Sequence, residues 1–436
     1  MTRSVAGLRC AACDTFVDIA TPLSWRCPKS TDEDRHHVLR FEEAVEPLTA
    51  AEDSDDPLLA FGDRLAWRAF AAAHELSPEK CDRLTRELSA AVRDVDGSTF
   101  RVTPLARAEE LSRVLGFTAD GGVWVKDETG GVAGSHKARH LASISLHLLA
   151  AERLGLVPWS AGDRAPLAIA SCGNAALAAA TLASAMQWRL RVFVPSWANR
   201  VVTERLMALH ADVVVCPRRA GDPPGDPCVR EFRAAVAQGA VPFAVQGPEN
   251  AWCLDSGRTI GWEIAASLEA AGTPPVDRLF VQVGGGALAT CVLEGMAAAG
   301  PVPRLHPVQT EGCAPLARAW ERCGGPAGAA EAARRWDECM EPWAEEPASA
   351  ASGILDDETY DWVGVADALA VSGGSPVVVP EAAVLEAHEI GRRTTGIDVD
   401  HTGTAGLAGL LAVRDHVADD ERVVVLFTGR ERRPDH

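Results

Sequence analysis

Lys137 is the residue whose type and setting most directly suggest chemistry. The chain has only four lysines, Lys29, Lys80, Lys126 and Lys137, and the last closes the run VWVKDETGGVAGSHK (123–137). That pattern predicts a strand, a glycine-rich turn and an Ala/Leu-rich helix beginning near His136. An amine held at such a turn can form a Schiff base with an aldehyde. The alternative is a surface lysine on the first turn of a helix. Two other segments end apolar runs in the same way: SCGN (171–174) and VGGGA (283–287). Glycines between a strand and a helix let consecutive N–H groups converge on one anion at the helix N-terminus. The alternative there is a tight turn without a ligand.

The elements that must position these residues alternate along the chain. Strand-like runs are VWVK (123–126), LAIA (167–170), RVFVP (191–195), DVVVC (212–216), LFVQV (279–283) and RVVVLF (422–427), separated by amphipathic, Ala-rich segments. Alternation of this kind implies parallel sheets with helices on both faces, an α/β class. Residues 57–95 carry helical periodicity through Leu58, Leu59, Leu65, Trp67, Phe70, Leu76, Leu84, Leu88 and Val92, read as packing surface. Residues 42–56 are acidic without an apolar period and read as a solvated linker, while 217–227 and 324–350 read as loop-rich.

With 436 residues the chain exceeds one ordinary domain, so two domains and an appendage are expected. The net charge of −19 disfavours nucleic acid and anionic membranes as partners. No apolar run is long enough to span a bilayer, and the start MTRSVAGLRCAAC lacks an apolar signal core, so a cytoplasmic protein is expected. Twelve scattered cysteines read as reduced thiols.

Residues 1–40 form a unit of their own. Cys10-x-x-Cys13 and the later Cys27 look like a zinc ribbon whose fourth ligand position is taken by Ser30, so His36 or His37 would have to complete the site. The alternative is a decayed ribbon with three free thiols.

Together these segments carry a family likeness. GSHKARH resembles the lysine motif of fold-type II pyridoxal-phosphate enzymes, SCGNAALAAATLA their asparagine loop, FVQVGGGALA their phosphate cup, and VLFTGRE their C-terminal Ser/Thr-Gly element. The likeness spans roughly residues 100–430 in order and spacing. It is nearest to threonine synthase, through TGTAGLAGLL (402–411), SGILDDETYDW (352–362) and the N-terminal knuckle. The resemblance implies two parallel-sheet α/β domains behind a ribbon-like appendage. The expected division is the appendage over 1–40, linker and helical segment over 41–100, a large cofactor-binding domain from 101–140 with 245–436, and a small mobile domain over 141–244.

It also implies roles. Lys137 would bear the Schiff base to pyridoxal phosphate. Gly284, Gly285, Gly286 and Ala287 would cup the phosphate, and His136, which is Phe in threonine synthases but His in tryptophan synthase β chains, either touches it or packs beneath the ring. Asn174 would bond the phenolic oxygen, unless it simply caps its helix. Ser171, Cys172 and Gly173, with Asn174, would receive the substrate carboxylate, and Cys172 replaces a more usual Ser or Thr. Thr428 would face the pyridine nitrogen, or else serve as a strand-end hydroxyl. A hydroxyl there makes a milder electron sink than a carboxylate, which suits β- or γ-elimination and replacement. The implied protein is a homodimeric lyase acting on a small amino acid, threonine synthase-like. The alternatives are a β-replacement synthase of the cysteine or cysteate type, a serine/threonine dehydratase, and a non-catalytic cofactor-binding regulator. Arg139, Arg200 and Arg205 are the candidates for a substrate phosphate.

Overall fold

The computed structural model describes residues 5–31, 36–43, 54–160 and 162–432. The core of the acidic linker read over 42–56, residues 44–53, lies outside the described residues. Two compact units alternate along the chain. The first takes the described residues of Met1–Arg101, Gly131–Ala133 and Lys137–Gly257; the second takes those of Val102–Gly130, Gly134–His136 and Arg258–His436.

In the first unit the N-terminal segment makes a small antiparallel sheet, with Val5–Cys10 between Phe16–Asp18 and Leu39–Glu43. Helices Pro57–Ala60, Ala66–Ala73 and Pro78–Asp96 follow. Asp56 caps the first by accepting from the Leu58 N–H at 2.9 Å, and Gly97, at φ +77°, ends the third. Ala66–Ala73 has no cap of its own. The fully buried Asp255 carboxylate takes that role, accepting from Ala66 N–H at 2.9 Å and Trp67 N–H at 3.3 Å. The Ser143 hydroxyl adds a bond to it at 2.7 Å. A four-stranded parallel sheet runs in the order Asp212–Val215, Leu190–Val194, Leu167–Ala170, Val241–Pro242, and its strands are joined through helices, as an all-parallel sheet requires.

The second unit is built on a six-stranded sheet in the order Val377–Val379, Arg304–Thr310, Arg278–Gln282, Arg422–Phe427, Gly122–Asp127, Leu105–Arg107. All neighbours are parallel except the last pair. Val125, Phe280, Val308, Val425 and Phe427 are buried within one apolar cluster. Helix His401–Ala412 lies over them through glycines: a Cβ at Gly406 would stand 2.9 Å from the Phe280 carbonyl oxygen. Bare backbone is what lets the helix approach that closely.

The loop-rich stretch 324–350 also holds two short helices, Ala329–Arg334 and Trp336–Cys339. One reading needs correction: Cys323 and Cys339 are not reduced thiols but pair as a disulfide with Cα atoms 5.6 Å apart, whereas the other ten cysteines are not in this disulfide. No helix among the described residues is long and apolar enough to cross a membrane.

Candidate functional site

Strand Gly122–Asp127 delivers the chain to the turn that ends at Lys137. Ala133 and Gly134 take left-handed conformations, φ +55° and +72°, and helix Lys137–Arg153 starts at the lysine itself. The approach to this lysine is pinned within the second unit. Arg430 N–H donates to Gly134 O at 2.9 Å, His136 N–H donates to Thr428 O at 3.3 Å, and Ser135 and Gly429 form a bridge. The His136 ring nitrogen Nδ1 lies 3.5 Å from the same Thr428 carbonyl, and the ring is buried. Lys137 is therefore one peptide bond from a residue held directly against Thr428.

Thr428 is buried, and its hydroxyl oxygen accepts a 2.6 Å bond from the Gln282 side-chain amide. Gln282 Nε2 also reaches Gly403 O at 3.1 Å and Leu426 O at 3.3 Å, which fixes the amide with nitrogen on this side. With its acceptor side occupied, the Thr428 hydroxyl is left to donate its proton. Gln282 reads in sequence only as one polar residue in an apolar strand, and nothing in its spacing marked it.

Gly284–Gly286 connects strand Arg278–Gln282 to helix Ala287–Ala297. Gly286 caps the helix at φ +98°, a conformation that favours glycine, and no side chain caps this end. A Cβ on Gly284 would fall on the Asp356 carboxylate and 2.9 Å from Ile354 Cα, whereas one on Gly285 would have 3.4 Å to Tyr360. The segment around Asp356 is thus packed on the turn, and Asp361 N–H donates to Gly285 O at 2.7 Å.

In the first unit Gly173 occupies the cap position of helix Asn174–Ala185, with no side-chain cap, so Asn174 is the first helical residue and not its cap. Ser171 and Cys172, with Gly173 and Asn174, are half-buried, and Ser171 Oγ accepts from Gly173 N–H at 3.4 Å. His140, one turn after Lys137, is fully buried and donates from Nδ1 to Cys253 O at 3.0 Å. Burial, followed by the nearby charge of Lys137, pushes its pKa down to about 3, so it stays neutral. It was not singled out from the sequence.

The remaining lysines are differently placed. Lys29 and Lys80 are exposed. Lys126 is fully buried, 2.5 Å from Glu263 Oε2, 3.9 Å from Glu128 Oε1, and donating to Thr103 O at 2.7 Å. Of the arginines, Arg139 is buried and donates to Arg101 O at 2.7 Å, Arg200 is exposed and paired with Glu204 at 2.6 Å, and Arg205 is exposed.

At the N-terminus Cys10, Cys13, Cys27 and His37 offer four donor atoms within 4.8 Å of one another. Cys10 Sγ is 3.4 Å from His37 Nδ1, and Cys13 Sγ is 3.8 Å from Cys27 Sγ. Three sulfurs and one imidazole at these separations match the donor set of a closed tetrahedral zinc site. Ser30, at the position of the missing ligand, instead donates to Cys27 O at 2.8 Å.

The residues also fit an aldehyde cofactor carrying a phosphate. A glycine turn that admits no side chain at two of its positions leads into an uncapped helix N-terminus, the setting in which N–H groups hold a phosphate. A buried hydroxyl poised to donate suits an unprotonated ring nitrogen. Such a set is compatible with an aromatic aldehyde that carries a phosphate.

The family follows from comparison. Residues 98–429 match the model of the pyridoxal-phosphate dependent enzymes, and the chain belongs to that family. Its fold is that of the fold-type II members. Threonine deaminase from T.th. aligns at 22% identity and TM-score 0.60, covering 80% of this chain and 99% of the other. Diaminopropionate ammonia lyase from Escherichia coli aligns at 16% identity and TM-score 0.61, covering 81% and 90%. Maize serine racemase aligns at 16% and 0.59, covering 79% and 93%. These likenesses concern the fold. No curated protein matches the chain in sequence.

Proposed function

We propose that this protein is a pyridoxal-phosphate-dependent lyase that carries out β- or γ-elimination or replacement on a small amino acid, with threonine synthase-like chemistry. The observation that carries the reading is the chain of contacts from Gln282 to Thr428 to His136, the neighbour of Lys137. The cofactor, once bound, supplies an electron sink for charge at the substrate α-carbon. Lys137 would hold the cofactor and serve as the base for the substrate α-proton. The N–H groups of Gly284–Ala287 would hold its phosphate, with His136 as a further contact. Asn174 would hold the cofactor ring, and Ser171, Cys172, Gly173 and Asn174 would receive the substrate carboxylate. The Thr428 hydroxyl would donate to the ring, a milder electron sink than a carboxylate gives, which suits loss of a leaving group. We assign zinc to Cys10, Cys13, Cys27 and His37, and take the protein as a cytoplasmic homodimer with a mobile small domain over 141–244.

One observation favours a second reading, a dehydratase or replacement lyase acting on an unphosphorylated amino acid. Arg139 is turned to a backbone carbonyl and Arg200 to Glu204, so neither supports a second anion site. The test has two stages. Borohydride reduction of the yellow protein should fix the cofactor on the peptide containing Lys137; label on Lys126, or on no lysine, refutes the site. Substrates are then screened by cofactor absorbance. Turnover of phosphorylated homoserine supports the first reading, and turnover of unphosphorylated serine or threonine alone supports the second.

A further inference from the structure

A second group of potential ligands lies in the second unit, outside the residues assigned to catalysis. His388 projects from helix Glu381–Thr395, His401 is the first residue of helix His401–Ala412, and Glu431 follows strand Arg422–Phe427. Their donor atoms all lie within 4.8 Å of one another, and all three residues are half-buried. The two imidazoles stack at 3.7 Å with planes 16° apart, and His388 Nε2 is 3.1 Å from Glu431 Oε2.

We propose that His388, His401 and Glu431 form a binding site for a late first-row divalent metal, zinc fitting best, with one position left open to solvent. Two imidazoles and a carboxylate are the donors such ions take, whereas magnesium and calcium prefer all-oxygen sets. Ligands at zinc bond lengths in tetrahedral geometry stand about 3.4 Å apart. The 3.1 Å from His388 Nε2 to Glu431 Oε2 is close to that, while the stacked rings, 3.7 Å apart at their centroids, must turn about their side-chain torsions to aim one nitrogen each at a shared ion.

The charges facing the site are compatible with a cation. Arg392 donates to Glu431 Oε2 at 3.3 Å, but its guanidinium is also matched by Asp398 at 2.5 Å, and Glu381 adds a further negative charge. Glu431 therefore keeps lone pairs for a metal.

The site would act as a staple on the return that carries Thr428. Between Thr428 and Glu431, Gly429 O accepts from Asp400 N–H at 2.9 Å, and Arg430 bridges Val399 and donates to Gly134 at 2.9 Å. A metal joining Glu431 to both helices would fasten this segment at its open end.

The experiment uses the full chain, stripped of metal and dialysed against zinc. His401→Ala and Glu431→Gln should each lower bound zinc by about one equivalent relative to wild type, and should abolish the zinc-induced rise in melting temperature assigned to this site. Cobalt separates this site from the cysteine cluster, since only thiolate ligands give an intense near-ultraviolet charge-transfer band. The cobalt lost in His401→Ala should carry no such band, and the cobalt lost in Cys27→Ser should carry it. Copper bound by wild type should show nitrogen hyperfine coupling that His388→Asn diminishes; this holds as a separate check if an alanine variant folds poorly. Equal zinc stoichiometry in wild type, His401→Ala and Glu431→Gln would overturn the proposal and leave the cluster an ion pair only.

Discussion

Lys126→Met separates the two non-surface lysines by what each is for. Lys126 sits at 0% exposure between Glu263 at 2.5 Å and Glu128 at 3.9 Å, both also at 0%. Thr103 ties these acids together, donating its N–H to Glu263 Oε2 at 3.0 Å and its hydroxyl to Glu128. Methionine keeps the length of the aliphatic stem, so the change removes charge and hydrogen bonds with little loss of packing. Two buried carboxylates are then left without their cation. Removing one partner of a buried pair costs about 3–5 kcal/mol, mostly because the remaining charge stays desolvated. At about 2–4 °C per kcal/mol for a unit of this size, melting should fall by about 6–20 °C. Adding Glu263→Gln should recover part of the loss, since the two residues couple directly. The assay is thermal unfolding of the full chain by tryptophan fluorescence, paired with peptide mapping after borohydride reduction. Below the new melting point the label should remain on Lys137. A melting shift under about 2 °C, or loss of the label with unchanged melting, would refute the assignment of Lys126 to structure and Lys137 to chemistry.

The glycine turn gives a paired prediction. Gly285→Ala should leave melting nearly unchanged, because a Cβ there has 3.4 Å to Tyr360 and 3.6 Å to Asp356. With Gly285→Asp, cofactor affinity measured by absorbance titration should collapse through repulsion of the phosphate, and the new carboxylate beside Asp356 should lower melting. Gly284→Ala should lower melting as well, since its Cβ meets Asp356 and the Ile354 backbone. Acid stability offers another. Burial, then His74, lowers the His147 pKa from 6.5 to about 3, so between those values the unfolded chain binds a proton that the folded chain does not. His147 thus contributes full stability above pH 6.5 and loses it as pH falls. His147→Gln, which retains an acceptor for the Leu23 N–H, should flatten the stability–pH slope there by about 1.4 kcal/mol per pH unit, read from denaturant midpoints. Finally, Cys27→Ser should remove one zinc from the N-terminal cluster and leave turnover intact; unchanged metal content would mean that the cluster holds three thiols and no ion.

Much of the sheet framework was legible because its strands are continuous apolar runs. RVVVLF and LAIA emerge as Arg422–Phe427 and Leu167–Ala170, and the helical stretch of 57–95 emerges as three helices. Strand Arg304–Thr310 was not legible, because His306 and Pro307 interrupt its pattern, yet it lies within the sheet. Val377–Val379 and Val241–Pro242 are too short to register as runs. At the candidate site the lysine turn and both loops announce themselves through glycine and local order. Gln282, His140 and Asp356 do not, since each acts through a neighbour distant in sequence. The same reason hid His388, His401 and Glu431, and it left His36 and His37 equal until the fold put His37 beside Cys10.

The sheet order of the second unit bears on how this protein is made. Arg422–Phe427, the last in chain order of this sheet's six strands, lies between Arg278–Gln282 and Gly122–Asp127. Until it arrives, the first half of that sheet has no partner on its inner edge, and Val123 and Val125 have no Val423 and Val425 beside them. Folding of this unit waits on a strand made after all of its neighbours, and until then the earlier strands carry an open apolar edge. Deleting Arg422–Phe427 would therefore remove the middle of the sheet and not its margin, so a variant without that strand should be insoluble.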